Sequence, residues 1–254
     1  MANFHLEVST VSRNAKRGKK SVTRLASYIS GRKLYDSYRR QWYAYERSDV
    51  ALCKVYVPPG GPADFRDLQA LCRHIDAAET RKDARTAREF KGALPSELSY
   101  HELLKIVDEF IEDNFIKLGL PAVAAIHKGI NRDDPARNNP HVHIIVPTRT
   151  VDGNGFSKKK LTPLNERKCI HIWRESWAEV QNIAYKRCKL DVRVSHKSLK
   201  EQNKDREPVK YVPRLEYVRD RDKITADREA AKEARSHARE QEQIRSVPEL
   251  DRER

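Results

Sequence analysis

The segment Asn139-Pro140-His141-Val142-His143-Ile144-Ile145-Val146-Pro147 constrains the chain more than any other. Polar and branched apolar residues alternate with period two, the mark of a half-buried strand. His141 and His143 therefore share one face, and Val142 and Ile144 the other. Pro140 suits a strand start and Pro147 a strand end, because neither position needs a ladder N–H. Upstream, Ala122-Val123-Ala124-Ala125-Ile126-His127 reads as a second strand that ends in a third histidine. Antiparallel pairing of the two would gather His127, His141 and His143. Three imidazoles converging from neighbouring strands leave coordination positions open, as in catalytic rather than structural metal sites. The plainer alternative is three polar residues on a wet sheet face.

The balance of charge narrows the choice of partner. Fifty-one Lys and Arg stand against 37 Asp and Glu, a formal net charge of +14 over 254 residues. An excess of that size points to a polyanion, most simply nucleic acid. No apolar run reaches the length of a membrane span, and the N-terminus has no secretory apolar core. Cys53, Cys72, Cys169 and Cys188 lack metal-ligand spacing and read as reduced thiols, consistent with a cytoplasmic protein.

Along the chain, Asn3–Thr10 alternates as a first strand, with Phe4, Leu6 and Val8 on one face and His5 and Glu7 on the other. His5 either lies under the site or is a polar residue on a covered sheet face. Arg13, Lys16, Arg17, Lys19 and Lys20 form a basic loop suited to phosphate contacts, or else a solvated one. Ser21–Ser30 reads as a helix capped by Ser21 and stopped by Gly31, carrying Tyr28 near its end. Tyr35, Tyr38, Trp42, Tyr43 and Tyr45 then alternate with Arg32, Lys33, Arg39, Arg40 and Arg47. Such a mixture suits stacking of unpaired bases and pairing with phosphates; ordinary core aromatics with long basic side chains fit the pattern too.

Ala51–Val57 reads as a strand or extended edge, Phe65–Glu79 as a helix, Ala84–Leu94 as a strand centred on Glu89, and Ser99–Leu118 as an amphipathic helix. Arg149–Pro163 is a Gly- and Lys-rich loop with Lys158, Lys159 and Lys160, either a flap over a nucleic-acid strand or an exposed hairpin. Glu166–Cys188 is helical and Asp191–His196 extended. Mixed strands and helices with antiparallel pairing give an α+β fold, a central antiparallel sheet flanked by helices. We expect one domain over residues 1–205. Residues 206–254, charged and helix-prone, should form an extension without its own core.

The chain resembles the relaxase domain of the MobA/MobL mobilisation proteins, plasmid DNA-nicking enzymes of the histidine-hydrophobe-histidine endonuclease class. The motifs that carry the likeness run in order. They are Phe4-His5-Leu6, Ala26-Ser27-Tyr28-Ile29, Ala93-Leu94-Pro95-Ser96-Glu97-Leu98, Ala125-Ile126-His127 and Asn139-Pro140-His141-Val142-His143. Trp173-Arg174-Glu175-Ser176-Trp177-Ala178 and Val194-Ser195-His196-Lys197-Ser198-Leu199 extend the likeness to about residue 205. It implies a sheet like that of relaxases and rolling-circle initiators, with Tyr28 as nucleophile and His127, His141 and His143 as holders of a divalent cation. Glu89 falls where the family places an acidic residue, here as an aid to the tyrosine, although Phe90-Lys91-Gly92 departs from the usual run. The loop between His127 and Asn139 is longer than usual and carries Asp133 and Asp134. These lie near where an acidic residue in the family braces a metal ligand. No helicase or primase portion is present, so the likeness implies a minimal or shortened relaxase.

The implied reaction is site- and strand-specific nicking of single-stranded origin-of-transfer DNA. A 5′-phosphotyrosine link would form and later be undone as the strand is rejoined. Three neutral histidines favour manganese, zinc, cobalt or nickel, with magnesium available by abundance. Origin DNA, accessory relaxosome proteins and a type IV coupling protein are the implied partners, in a bacterial cytoplasm. A rolling-circle replication initiator of the same chemistry and a non-catalytic DNA-binding module are the alternatives.

Overall fold

In the computed structural model the chain divides into two compact units, Met1–Ser198 and Leu199–Arg254. The described residues are 4–14, 21–130, 138–162, 166–198 and 200–202, plus a few exposed helical positions such as Ala226 and Ala230. Lys16, Arg17, Lys19, Lys20, Asp133 and Asp134 lie outside them.

Five strands make one antiparallel sheet in the first unit: β1 (Leu6–Ser12), β4 (Val50–Tyr56), β5 (Arg85–Ala93), β6 (Ala122–His127) and β7 (His141–Pro147). Their order is β1-β5-β7-β6-β4, so both histidine strands are interior and β4 is an edge. A small hairpin of β2 (Leu34–Asp36) and β3 (Gln41–Tyr43) follows the first helix. A second, β8 (Arg149–Asp152) and β9 (Gly155–Lys160), takes the place of the Lys-rich loop.

Alternation along the strands feeds two cores. Leu6, Phe90, Val142, Ile144, Ala124 and Ile126 face α3 (Tyr100–Asn114) and α4 (Arg167–Arg187), meeting Phe110, Ile106, Trp173 and Trp177. Val11, Ala87, Val123, Ala125 and Ile145 face α1 (Val22–Ser30) and α2 (Leu68–Ala77). Burial on both faces explains why β5 shows no clean alternation in sequence. Phe4 and Val8 pack on the α3/α4 side beside Leu6, as their spacing predicts.

Local signals set most boundaries. Ser21 Oγ accepts from the Arg24 N–H at 3.0 Å and caps α1. Gly31, at φ 68°, ends it. The predicted Phe65–Glu79 helix is split, because Asp67 accepts from the Ala70 N–H and caps α2 after a single 3₁₀ turn at Ala63–Arg66. The Ser99–Leu118 helix likewise stops at Asn114, and a 3₁₀ turn, Ile116–Leu118, closes at Gly119. Asp191–His196 joins no strand. No helix among the described residues is long and apolar enough to cross a membrane.

One close approach fixes how α4 lies on the sheet. A Cβ placed on Gly92 would stand 2.7 Å from Trp177 Cζ2 and 2.8 Å from its Cε2. Trp177 is fully buried, so the ring has no room to retreat. Gly92→Ala should therefore destabilise the domain by about 1–3 kcal/mol through overpacking. A thermal melt should show Tm falling by several degrees, and an unchanged Tm would mean the helix can shift at no cost.

Candidate active site and metal centre

The pairing of β6 with β7 sets His127 directly opposite His141 and Ala125 opposite His143. A methyl group at 125 leaves space over which the His143 ring can lie. The ring centroids stand 5.1 Å (His127–His141), 4.9 Å (His127–His143) and 5.2 Å (His141–His143) apart. One ligating atom from each lies within 4.8 Å of the others.

Each ring is oriented by one hydrogen bond to an acceptor, which fixes where its proton sits. His127 Nε2 donates to the Ile29 carbonyl at 2.8 Å. That carbonyl is one of the last in α1, which lack partners inside the helix. His141 Nδ1 donates to the Asn139 carbonyl at 2.8 Å. His143 Nδ1 donates to Glu89 Oε1 at 2.7 Å. These bonds leave the proton off His127 Nδ1 and His141 Nε2. His127 Nδ1 is buried and has no hydrogen-bond partner. Burial pushes the His127 pKa down to about 4 and also lowers that of His141, so both are neutral near pH 7. Three clustered imidazoles, two of them neutral and one of these with a buried unpartnered nitrogen, are a donor set that suits a divalent cation.

Tyr28 reaches the same place from α1. Its ring centroid is 6.5 Å from that of His143, with the planes at 90°. The side chain is 43% exposed, so a substrate can approach it. Val22, Leu25, Ala26 and Ile29 bury the other side of the helix. The helix that presents Tyr28 thus also holds the His127 ring, through the very next residue.

The remaining predicted positions divide. Glu89 joins the site, but its partner is a ligand. It is buried, it accepts from His143, and Ser9 Oγ reaches its other oxygen at 3.4 Å. The acidic residue expected to aid the tyrosine is thus placed against His143, while Asp133 and Asp134 lie outside the described residues. His5 is exposed on the site's face, its carbonyl bonded to the N–H of Ala93, which pairs with His141.

Arg32 is exposed just beyond α1, and Lys158 and Lys159 are exposed on β9. Arg13 is corrected outright. It is 7% exposed, donates to the Glu79 carbonyl at 2.8 Å and the Asp76 carbonyl at 2.7 Å, and lies over the Tyr38 ring. Density of charge in a sequence does not reveal which cation is drawn inside. Lys160 is also engaged, with Glu79 at 2.9 Å and the Arg85 carbonyl at 2.6 Å. The β8–β9 hairpin follows Pro147, at the other end of β7 from His141. A strand of that length spans roughly 20 Å, so the lysines stand at the far end from the histidines rather than over them.

Two further residues stand at the site: Arg47, which the sequence showed only as one of the cations among the aromatics, and Asp49, which had no signal there. Arg47 and Asp49 precede β4. The Arg47 guanidinium lies 4.5 Å over the Tyr28 ring and forks onto Asp49 through Nε (2.9 Å) and an Nη (2.7 Å). This fork holds the Asp49 carboxyl down at about 2. Asp49 Oδ2 stands 3.9 Å from the unpartnered His127 Nδ1.

Fold and site together define an α+β protein with a histidine-hydrophobe-histidine centre and a tyrosine within its reach. Residues 20–213 match the MobA/MobL family, and the chain belongs to it. It is 30% identical over 253 residues to a probable mobilization protein MobA of Bifidobacterium longum, across 82% of this chain and 42% of that protein. It is 26% identical over 239 residues to a conjugal transfer protein TraA of Agrobacterium fabrum, across 82% of this chain and 21% of that one. The chain thus spans less than half the length of either relative. A solved structure described as the molecular basis of vancomycin resistance transfer in Staphylococcus aureus shares the fold. Its TM-score is 0.68 at 23% identity, over 78% of this chain and 100% of that one.

Loss of a carboxylate brace behind a metal-bound histidine costs about 10–100-fold in metal affinity. Glu89→Gln should weaken Co²⁺ or Mn²⁺ binding by that order in a titration, while His143→Ala should lose more. Unchanged affinity in Glu89→Gln would show that His143 needs no such support.

Proposed function

We propose that this chain is the nicking domain of a relaxase, cutting one strand of origin-of-transfer DNA at a defined site and later rejoining it. The observation that carries the reading is Tyr28 standing over His143 at the mouth of three clustered histidines. His127, His141 and His143 would hold the divalent cation, manganese or magnesium in the cell, with zinc, cobalt or nickel suited to the same nitrogens. Bound there, the cation would supply Lewis acidity toward a non-bridging oxygen of the scissile phosphate.

The protein's own groups do the rest. Tyr28 Oη attacks phosphorus, an O–P bond forms, and the bond from phosphorus to the 3′-oxygen breaks. The electron pair leaves with that oxygen, which takes up a proton. The phenol proton passes to solvent. One phosphodiester is exchanged for another, so the strand can be resealed by the reverse attack without ATP. The Ile29 carbonyl and Glu89 fix the orientation of the His127 and His143 rings. Arg32 and the aromatic and basic residues of the β2–β3 hairpin are the nearest candidates for contacts with the strand. Accessory relaxosome proteins and a type IV coupling protein fit as further partners of the same reaction.

Tyr28→Phe should abolish protein-linked DNA on a denaturing gel while leaving single-strand binding intact. An adduct that persists in this variant would refute the assignment. EDTA should suppress the wild-type adduct; a module that merely binds DNA would be indifferent to both changes.

Binding has an internal reporter. Trp42 is 60% exposed, whereas Trp173 and Trp177 are 3% and 0% exposed. Lys33 Nζ lies 5.0 Å over its ring and Tyr35 packs beside it. Stacking of an unpaired base there should quench intrinsic fluorescence; Trp42→Phe should remove the quench, and Trp42→Ala should weaken binding by about 1–3 kcal/mol. A quench that survives the substitution would place the strand elsewhere.

A further inference from the structure

Besides the histidines, the Tyr28 ring has a charged neighbour. Arg47 is 17% exposed at its side chain, and its guanidinium covers one face of the phenol at 4.5 Å. Asp49 holds it by a two-point fork, a geometry that a lysine cannot reproduce. That fork uses two of the five N–H groups of the guanidinium, so three are left for other acceptors. Gly31 leaves the space next to the arginine stem: a Cβ there would stand 3.4 Å from Arg47 Cβ, and its φ of +68° suits glycine. Tyr45 closes another side of the phenol, edge-on at 5.5 Å, and is itself held by Arg24 Nε at 2.8 Å. The nucleophile is thus boxed between a fixed cation and a second aromatic ring, not free on the helix surface.

We propose that Arg47 is a second electrostatic pole of the reaction, lying over the face of the Tyr28 ring and linked through Asp49 to the His127 side of the site. It receives the negative charge that gathers on the bridging tyrosyl oxygen and the phosphoryl group, and Asp49 is the positioning residue that aims it. The inference rests on the reading of Tyr28 as nucleophile and adds a residue that this reading does not require. The logic is symmetrical. In cleavage the phenol oxygen gives electron density to phosphorus; in rejoining, the 3′-oxygen attacks and the P–O bond to Tyr28 breaks, returning the pair to the phenol oxygen. A guanidinium stays protonated throughout and has the same work to do in both directions. It therefore lowers the barrier of the forward and reverse steps alike and leaves the identity of the bound strand to other contacts.

The test is single-turnover cleavage and rejoining of a single-stranded origin oligonucleotide by wild type, Arg47→Ala, Arg47→Lys and Asp49→Asn. Removal of one donor aimed at developing charge costs about 10²–10³ in rate. Arg47→Ala should lose about that much in both directions, with the oligonucleotide Kd changed little and the visible absorption of bound Co²⁺ unchanged. Added guanidinium chloride at millimolar concentration should restore part of the Arg47→Ala rate, which a merely structural role would not allow. Arg47→Lys and Asp49→Asn should fall between. An undiminished rate in Arg47→Ala, a loss expressed wholly in Kd, or an altered Co²⁺ spectrum would each overturn the inference while leaving Tyr28 as nucleophile. A wild-type chain that forms no adduct at all would overturn both readings.

Discussion

The register between β6 and β7 is the constraint on which the site depends. It sets His127 against His141 and puts His143 opposite a residue no larger than alanine. In a strand pair, a slip of one residue turns every side chain to the other face. Here it would send the histidines into the α3/α4 core and Val142 and Ile144 onto the α1/α2 face where the histidines now stand. The apolar residues therefore police the register: Val142, Ile144 and Ile126 are buried on one face, and Ile145 and Val123 on the other. The metal-site geometry is paid for by ordinary burial, at about 25 cal/mol per Å² of apolar surface removed from water. The imidazoles need contribute nothing to it.

The two ends of the sheet are specialised differently. At the histidine end, polar atoms are left with bare nitrogens or partial exposure. At the other end the structure closes on itself. Arg13 is buried with Asp76 at 3.5 Å and binds backbone carbonyls, while Glu79 takes both Arg149 and Lys160 at 2.9 Å. A buried guanidinium without partners would be very costly, and with them it ties β1 to the end of α2 and the loop that follows. This network fixes the frame without entering the chemistry, which is why a basic residue at position 13 is no sign of a phosphate contact.

The parts of the fold that were legible in the sequence are those with a local physical cause. Alternation gave β6 and β7, and the Ser21 cap with Gly31 gave α1 to within a residue. Asp67 was a cap hidden inside what reads as one helix. The strands β2 and β3, three residues each, are too short for any period to show. At the site, the three histidines and Tyr28 were legible because strand and helix geometry, with the family motifs, pointed to them. Glu89 was visible but its partner was not: the bond to His143 spans 54 residues, and only the β5–β7 pairing brings the two together. Arg47 was visible only as one cation of the aromatic-rich stretch and Asp49 not at all, since their place beside Tyr28 comes from the fold that brings α1 against them.

The distribution of charge around Tyr28 follows one logic. Burial keeps His127 and His141 neutral, so they offer lone pairs. The anions are each committed: Glu89 to His143 and Asp49 to Arg47. Neither carboxylate faces outward unpaired, where it would repel a phosphodiester. The capacity that remains is of two kinds, the unpartnered His127 Nδ1 for a cation and the remaining N–H groups of Arg47 for an anion, and Tyr28 stands beside both the histidine cluster and Arg47. A site that bound a phosphate only for affinity would need the second alone. Electron-pair donors and hydrogen-bond donors grouped around one phenol suit a reaction in which charge crosses from one oxygen to another and back again.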